Sequence, residues 1–371
     1  MRIDFIKLSF SIIFIFTITF CAAQDPRISQ YNELPVIINP ANTGNFEGSV
    51  RIGALYNSAK NGAFKNAFYG ALVNEIYNFS LDHRFGKKKD WGIGTNYMST
   101  NGNNFIMSGL FYGFSLAKNI NLNSKKDTLS QAEQLYQNEI FNDVNKLMTK
   151  RHNLRIGMNL SYCRGIVDEN RGGYSILLDV GGFKYDRKPD AVDNIINTSD
   201  YYNMSLGVLY QMNLQDLSFE TGFAMNNIIR PNFSIMDDRE VRKRIRMSGN
   251  MALTYKLNDH NKIKLEHFSW KEGFYFVGPK PETDSADITD VIYGFNWLNH
   301  KKLPIMTGIY LRSSKSMFLI TGVRINPKIT TKLSYELSMN SNYYPVNQFG
   351  LSVNYIFADD KTLKYSRLRF F

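Results

Sequence analysis

The stretch Phe349-Gly350-Leu351-Ser352-Val353-Asn354-Tyr355-Ile356-Phe357 decides the fold of this chain. Its odd-numbered positions are all large and apolar, whereas Gly350, Ser352 and Asn354 fill the even positions until Ile356 breaks the pattern. Side chains alternate across a β-strand with a period of two residues, so the stretch predicts a strand with one apolar and one polar face. The apolar face needs a covering layer, and the rest of the sequence indicates which one.

Many segments of similar character precede this strand, and little helical periodicity accompanies them. Without helices to cover the apolar faces, lipid is the expected partner, and strands satisfy their backbone groups in lipid only as a closed barrel. The mean hydropathy of −0.30 fits, because only every second residue of such a barrel meets lipid. We therefore predict an all-β chain, a transmembrane antiparallel β-barrel of an outer membrane. The fourteen predicted strands are 48–57, 68–84, 91–100, 105–118, 152–164, 202–211, 215–227, 244–257, 261–270, 288–297, 304–312, 316–325, 329–339 and 347–357.

Connection lengths agree with a barrel that has short periplasmic turns and longer external loops. If the N-terminus lies in the periplasm, the long loops at 165–201, 228–243 and 271–287 all lie outside. The exception is a periplasmic insertion at 119–151, whose second half carries apolar residues at helical spacing. This pattern predicts a short amphipathic helix, which either packs against the periplasmic rim or docks a partner.

The N-terminus has the pattern of a secretory signal peptide over residues 1–23, with cleavage expected before Gln24. The alternative is a lipoprotein signal acylated at Cys21, which Phe20 disfavours. The exported chain is then expected to comprise an extended N-terminal leader (24–46), the barrel (47–357) and a periplasmic C-terminal tail (358–371). Cys163 would be its single cysteine, which excludes an internal disulfide.

The residues provide no catalytic, metal or cofactor site. No Gly-rich phosphate loop, H-E-x-x-H or G-x-S-x-G motif is present, and the five histidines are widely spaced. The net charge of +11 comes without a nucleic-acid motif, so it suits outer-membrane lipid head groups or periplasmic polymers better than nucleic acid. We therefore predict no enzyme activity and no cofactor. Charged residues on the polar strand faces are expected to pair across the barrel, with the lining of a selective channel as the alternative; they are Asp82, Arg84, Arg155, Lys256, Lys332 and Glu336.

The leader carries the most distinctive residues of the chain, Gln30-Tyr31 and Ile38-Asn39-Pro40-Ala41-Asn42-Thr43-Gly44. Pro35 and Pro40 oppose a continuous helix or an inner strand, so we expect the leader to pack inside or under the barrel. Together with Gln24-Asp25-Pro26, Trp91-Gly92-Ile93-Gly94 and Arg369-Phe370-Phe371, these motifs make the sequence resemble the PorP/SprF family of type IX secretion membrane proteins. The family motif residues are Gln30, Tyr31, Asn39, Pro40, Ala41 and Gly44. The 119–151 insertion and the 165–201 loop depart from the family's usual pattern.

The resemblance implies an outer-membrane barrel that assists type IX export or retains a secreted, adhesin-like protein at the surface. It also implies periplasmic partners that link the barrel to peptidoglycan and the secretion machinery. From the residues, aromatic side chains in the external loops are the candidate contacts with a secreted substrate, although they also suit a loop plug; they are Tyr174, Tyr185, Phe233, Phe274, Tyr275 and Phe276. The alternative function is an outer-membrane diffusion channel, which requires an open lumen.

Overall fold

The structure is a computed structural model with side chains. It describes residues 28–61, 73–86, 89–102, 107–122, 151–167, 198–214, 216–234, 240–258, 260–277, 285–299, 304–313, 316–326, 328–338 and 346–357. Fifteen strands are found in these ranges: β1 Val50–Asn61, β2 Val73–Phe85, β3 Trp91–Gly102, β4 Met107–Asn121, β5 Arg151–Val167, β6 Thr198–Asn213, β7 Leu217–Asn226, β8 Glu240–Lys243, β9 Arg246–Lys256, β10 Asn261–Val277, β11 Ser285–Asn299, β12 Ile305–Arg312, β13 Ser316–Asn326, β14 Ile329–Ser338 and β15 Val346–Phe357.

The strands form one antiparallel sheet that closes on itself into a 14-strand barrel. Within β1 to β7 and within β9 to β15, each strand pairs with the next strand along the chain; β7 pairs with β9, and β15 pairs with β1, which completes the circle. The short strand β8 does not add a fifteenth strand to the circumference of the barrel, because β8 and β9 both pair with β10, one above the other. The prediction of a 14-strand barrel is confirmed.

Two ends of the barrel are distinguished by their connections. At the short-turn rim, β6 and β7 are joined through 214–216, and β9 and β10 through 257–260. At the opposite long-loop rim, β5 and β6 are joined through 168–197, and β7 and β8 through 227–239. Residues 123–150, the greater part of the predicted insertion, lie outside the described residues, as do the predicted signal at 1–23 and tail at 358–371.

Alternation assigns the side chains of each strand to opposite faces of the barrel wall. On β14, Leu333, Tyr335 and Leu337 point outward and are 43 to 47% exposed. Lys332, Ser334 and Glu336 point into the lumen and are buried. The outward side chains lack a covering protein layer among the described residues, which is the arrangement that lipid stabilises in a membrane barrel.

Tyrosines form a continuous outward row towards the long-loop rim. Register pairs Tyr97 with Tyr112 and Tyr162 with Tyr202, with ring centroids 5.0 and 5.6 Å apart, respectively. Tyr112 pairs with Tyr162 between them, so the row crosses β3 to β6. Such aromatic girdles mark the membrane interface of outer-membrane barrels. Among the described residues, no helix has both the length and the apolar character needed to span a bilayer.

Three features of the wall differ from the sequence-based expectation. Strand β8 lies within the expected 228–243 loop, because its four residues continue the ladder along the upper end of β10. Strand β10 runs to Val277 and β11 starts at Ser285, so the expected loop at 271–287 is mostly strand. Phe274, Tyr275 and Phe276 therefore lie in β10 rather than in a loop. Residues 119–121 of the expected insertion belong to β4.

The leader is folded rather than extended. It forms a 3-10 turn (Tyr31–Glu33), one α-helical turn, α1 (Pro35–Ile38), and a second 3-10 turn (Pro40–Asn42). Pro35 and Pro40 each occupy the first position of a helical turn, where a fixed φ is favourable and the missing N–H costs nothing. The prolines that exclude a long helix thus start two short ones.

Candidate functional site

The described leader runs through the lumen from the long-loop half to the short-turn rim. Its first described residue, Ile28, accepts a hydrogen bond at its carbonyl from Arg312, the last residue of β12. Near its end, the carbonyl of Phe46 accepts one from Arg84, beside the β2–β3 turn. Hydrogen bonds and ion pairs connect the segment to nine of the barrel strands, namely β2, β5, β6, β7, β9, β10, β12, β14 and β15. The leader is therefore a plug that contacts most of the inner wall.

Tyr31 anchors the first half of the plug in an apolar part of the lumen. Its ring stacks on Phe268, with centroids 4.8 Å apart, and meets Tyr310 edge-on at 6.3 Å. The surrounding cluster lies on β10 to β13 and also includes Ile292, Leu298, Met306, Phe318 and Ile320. Burial and the nearby Glu266 carboxylate raise the pKa of Tyr31 well above its ordinary value. The hydroxyl therefore stays neutral, and the plug carries no charge at this anchor.

A buried ionic network surrounds Ser29 at the long-loop end of the plug. The Ser29 hydroxyl donates to Glu336 at 2.6 Å and lies 3.1 Å from the side-chain oxygen of Gln348. Arg312 bridges the plug and the wall, because its guanidinium donates to Asp290 at 2.9 Å, to Glu336 at 3.3 Å and to the carbonyl of Ile28. Removing one partner from such a buried network leaves an uncompensated charge, which is strongly destabilising.

Glu33 makes the second ionic contact of the plug. Its carboxylate lies 2.5 Å from the ammonium of Lys332 on β14 and also accepts a hydrogen bond from the amide of Asn354 on β15. All three groups face the lumen, where the local dielectric is lower than in bulk water and charge-assisted hydrogen bonds are strong. Glu33 therefore ties the 3-10 turn at Tyr31–Glu33 to two adjacent strands.

The Asn39-Pro40-Ala41 motif fixes the second half of the plug. The Asn39 side-chain oxygen accepts from the backbone N–H of Ala41 at 2.9 Å, which caps the second 3-10 turn. The Asn39 amide nitrogen donates to the carbonyls of Val208 and Phe223 on β6 and β7. One side chain thus orders the turn and attaches it to the wall.

Arg155 on β5 holds the same turn from the other side. Its guanidinium donates to the carbonyl of Ala41 at 2.9 Å and to that of Thr43 at 2.6 Å. These carbonyls end a short helical turn, where acceptors lack partners within the turn itself. The inward charges were expected to pair across the barrel, but these pair locally or with the plug. Arg155 bonds to plug carbonyls, Lys332 pairs with Glu33 of the plug, and Asp82 pairs with its neighbour Arg51.

Glycines on the inner face of the wall allow the backbone of the plug to contact the backbone of the wall directly. A Cβ atom on Gly157 would be 2.4 Å from the carbonyl of Pro40, and one on Gly92 would be 2.3 Å from that of Thr43. Gly207 would bring a Cβ 2.0 Å from the Asn39 oxygen. Gly92 belongs to the Trp91-Gly92-Ile93-Gly94 segment, so this motif has a physical explanation as a seat for the leader.

Gly44 ends the motif with a turn that needs glycine. Its φ of +68° is favourable for glycine and strained for other residues. Its N–H donates to Asp82 at 2.7 Å, and Arg51 makes a bidentate pair with the same carboxylate. The family motif residues predicted from sequence therefore converge on one structural role, that of a plug inside the barrel.

Four of the six predicted substrate contacts lie in paired segments at the long-loop rim. Phe233 is half-buried, with the Lys243 ammonium 5.3 Å from its ring centroid. The backbones of Phe274, Tyr275 and Phe276 pair with β8 through Lys243, Arg242 and Val241. Tyr174 and Tyr185 lie outside the described residues. Their role in substrate contact stays a prediction.

Sequence reasoning missed the wall residues that receive the plug. Glu266, Asp290 and Arg312 were not singled out, because strands distant in sequence become neighbours only through barrel register. The available signal was a polar or charged residue at an inward position of a predicted strand. Among the described residues, no group of His, Cys, Asp and Glu is arranged to hold a metal ion.

Comparison with known families identifies the group to which this barrel belongs. The model of the type IX secretion system membrane protein family PorP/SprF matches residues 20–355. The chain belongs to the PorP/SprF family. The family model describes membrane proteins of the type IX secretion system, and a closed barrel with an apolar outer surface is the form in which strands span an outer membrane. No curated protein sequence matches this chain.

Solved structures with a similar barrel share little sequence with this PorP/SprF chain. The toluene transporter TbuX of Ralstonia pickettii is 9% identical, with a TM-score of 0.44 over 86% of this chain and 92% of its own. The Pseudomonas putida toluene transporter TodX is 8% identical, with a TM-score of 0.41 over 90% and 93%. Acinetobacter baumannii Omp33, an outer membrane protein, is 8% identical, with a TM-score of 0.38 over 84% and 99%. These similarities concern the barrel and not its function.

Proposed function

We propose that this PorP/SprF chain is a non-enzymatic component of type IX secretion that retains a secreted, adhesin-like protein at the surface or assists its export. The long-loop rim would hold the substrate, and the short-turn rim would contact periplasmic partners of the secretion machinery. Family membership supports the association with secretion. The assignment of each rim to one partner follows the usual orientation of outer-membrane barrels, whose longer loops face outward.

The plug is the observation that favours this proposal over the alternative of a diffusion channel. Residues 28–46 occupy the lumen, and their contacts involve buried charges, stacked rings and backbone hydrogen bonds. A folded segment bonded to nine strands of the wall favours a barrel that works through its rims rather than through a permanently open pore. We expect purified protein to give small or rare currents in planar bilayers, and large steady currents would favour the channel instead.

The long-loop rim offers a built surface for a protein partner. Residues Pro231–Ser234 pair with β8, β8 pairs with the end of β10, and β10 pairs with the start of β11. These segments extend the sheet beyond the point where β7 ends at Asn226. Phe233 and the three aromatic residues of β10 predicted as substrate contacts all belong to this extension.

Removing the 228–243 segment tests the proposal directly. The segment contains β8 and the residues 231–234 that pair with it. Its deletion therefore removes the sheet extension next to β10 and leaves the 14 strands of the barrel in place. We expect the barrel to assemble and the substrate to appear in the medium. Shortening the 339–345 connection at the same rim is the control and should leave the substrate on the cell. Retention that is unchanged by the 228–243 deletion would contradict the loop role.

A further inference from the structure

Among the described residues, the upper half of β6 has an unpaired edge at the long-loop rim. Below this level, Leu206–Asn213 pair with β7 on one side and with β5 on the other. Above it, Thr198–Ser205 continue to pair with β5, but β7 has already ended. In the described part of the chain, the last backbone bond to this edge runs from the N–H of Ile228 to the carbonyl of Met204.

The parity of the ladder identifies which groups are left open. Because Met204 directs its carbonyl away from β5, the residues two and four positions earlier, Tyr202 and Asp200, direct their backbone groups the same way. The N–H of Met204 is capped by the side chain of Asn203 at 2.8 Å. Within the described residues, no hydrogen bond reaches the outward-directed N–H and C=O groups of Asp200 and Tyr202.

The position of the β6 edge relative to the membrane explains why unpaired backbone groups are tolerated there and which kind of ligand they can bind. Tyr202 closes the tyrosine row that marks the interface and is 71% exposed. Unpaired backbone groups do not occur in contact with hydrocarbon, and β6 is paired on both sides up to that level. The open groups therefore lie in a hydrated layer, where they suit another polypeptide backbone and not acyl chains.

The charge beside the edge indicates the chemistry of the partner. The described segments 228–234 and 240–246, which follow β7 at the same rim, contain five Arg or Lys residues and one acidic residue, Glu240. The ammonium of Lys243 reaches across to Tyr201 on β6, 5.5 Å from its ring centroid. Arg230, at the turn after β7, is exposed. An acidic strand is thus the complementary occupant.

We propose that the edge of β6 at Asp200–Tyr202 binds an extended acidic segment of the exported protein by β-strand addition. This inference rests on the proposed function and specifies how its partner would be held. Backbone hydrogen bonds to the two open residues would supply affinity, and the basic residues of the segments 228–234 and 240–246 would select for acidic side chains. Below Met204 the wall is already paired, so the added strand would stop at the membrane interface.

A proline substitution isolates the backbone contribution. Tyr202→Pro removes the N–H that points into the gap and leaves the ladder with β5 intact, since proline is tolerated on the open side of an edge strand. Tyr202→Val is the matched control, because it removes the ring and retains the N–H. Both barrels would be purified in detergent and checked for the shift in gel mobility on heating that folded barrels show.

The probe is an eight-residue peptide of alternating valine and glutamate, with a valine–lysine peptide as its control. We expect the glutamate peptide to bind the Tyr202→Val barrel at least tenfold more tightly than the Tyr202→Pro barrel, and more tightly than the lysine peptide. Equal binding to both variants, or equal binding of both peptides, would overturn the proposal.

Hydrogen exchange on the unmodified barrel provides a test that does not depend on the folding of a variant. The glutamate peptide should slow exchange at Asp200 and Tyr202 and leave Tyr201 unchanged, because Tyr201 already bonds to β5. Unaltered exchange at Asp200 and Tyr202 would overturn the proposal. If deletion of 228–243 releases the substrate while both tests fail, the retention function stands and only the strand-addition site is wrong.

Discussion

On the β10–β13 side of the lumen, the plug buries Tyr31 among aromatic and aliphatic side chains. On the β3–β7 side, it lies against glycines and is held by hydrogen bonds from Arg155 and Asn39. The first wall retains the leader by packing, which tolerates small shifts at a gradual energetic cost. The second retains it by backbone contact, which has no room for an added atom. The comparison predicts that the glycine wall is the more sensitive one.

Gly157→Ala should give the largest effect. Its Cβ would lie 2.4 Å from backbone atoms of Pro40 and 2.5 Å from the N of Ala41, and the leader cannot retreat without breaking the hydrogen bonds that Asn39 and Arg155 make between leader and wall. We expect the leader to leave its seat, with a rise in bilayer conductance and rapid amide exchange over 28–46. Gly165→Ala on the same strand is the control, because its Cβ would be 3.9 Å from the nearest atom. Equal conductance in the two variants would contradict the role of the glycine wall.

Tyr31→Ala should have the next largest effect, on the apolar wall. Truncating a buried aromatic residue to alanine costs about 3–5 kcal/mol, through lost burial and the cavity left beside Phe268 and Tyr310. We expect the free energy of leader release, measured by hydrogen exchange of the leader amides, to fall by roughly this amount. Tyr202→Ala, on the outer surface, should leave leader exchange unchanged. A change of the same size in both variants would show that the loss reflects the whole barrel.

The two walls also differ in how far the sequence predicted them. Period-two alternation predicted the strands and their inward faces, because lipid on one side and water or plug on the other impose that period on every strand. The leader's place in or under the barrel followed from Pro35 and Pro40, whereas its folding into helical turns did not, since the turns depend on capping by Asn39 and on the wall. The same limit applies to β8, whose four residues are strand only beside β10.

The buried pairs were beyond sequence reasoning for a related reason. Asp290 and Arg312 are inward residues of adjacent strands, and their contact depends on a register that alternation does not determine. Glu33 and Lys332 are still more distant in sequence and meet only because the leader enters the lumen. Gly92 and Gly157 carried a usable signal, since glycine within a strand often marks a close backbone approach.

Arg155→Met should produce the smallest of these effects and separates hydrogen bonding from packing on the glycine wall. Methionine retains much of the aliphatic length of arginine, so the loss falls on the two donors to Ala41 and Thr43. Leaving buried acceptors unsatisfied costs about 1–3 kcal/mol, and relief from burying a guanidinium offsets part of it. We expect faster exchange of the leader amides with no gain in steady conductance, because the glycine seat remains. Arg164 lies on the same strand as Arg155 and forms an exposed ion pair with Asp200 on β6. Arg164→Met should therefore leave the exchange of the leader amides unaltered. A conductance in Arg155→Met as large as that of Gly157→Ala would mean that hydrogen bonds, and not close backbone contact, hold the plug on this wall.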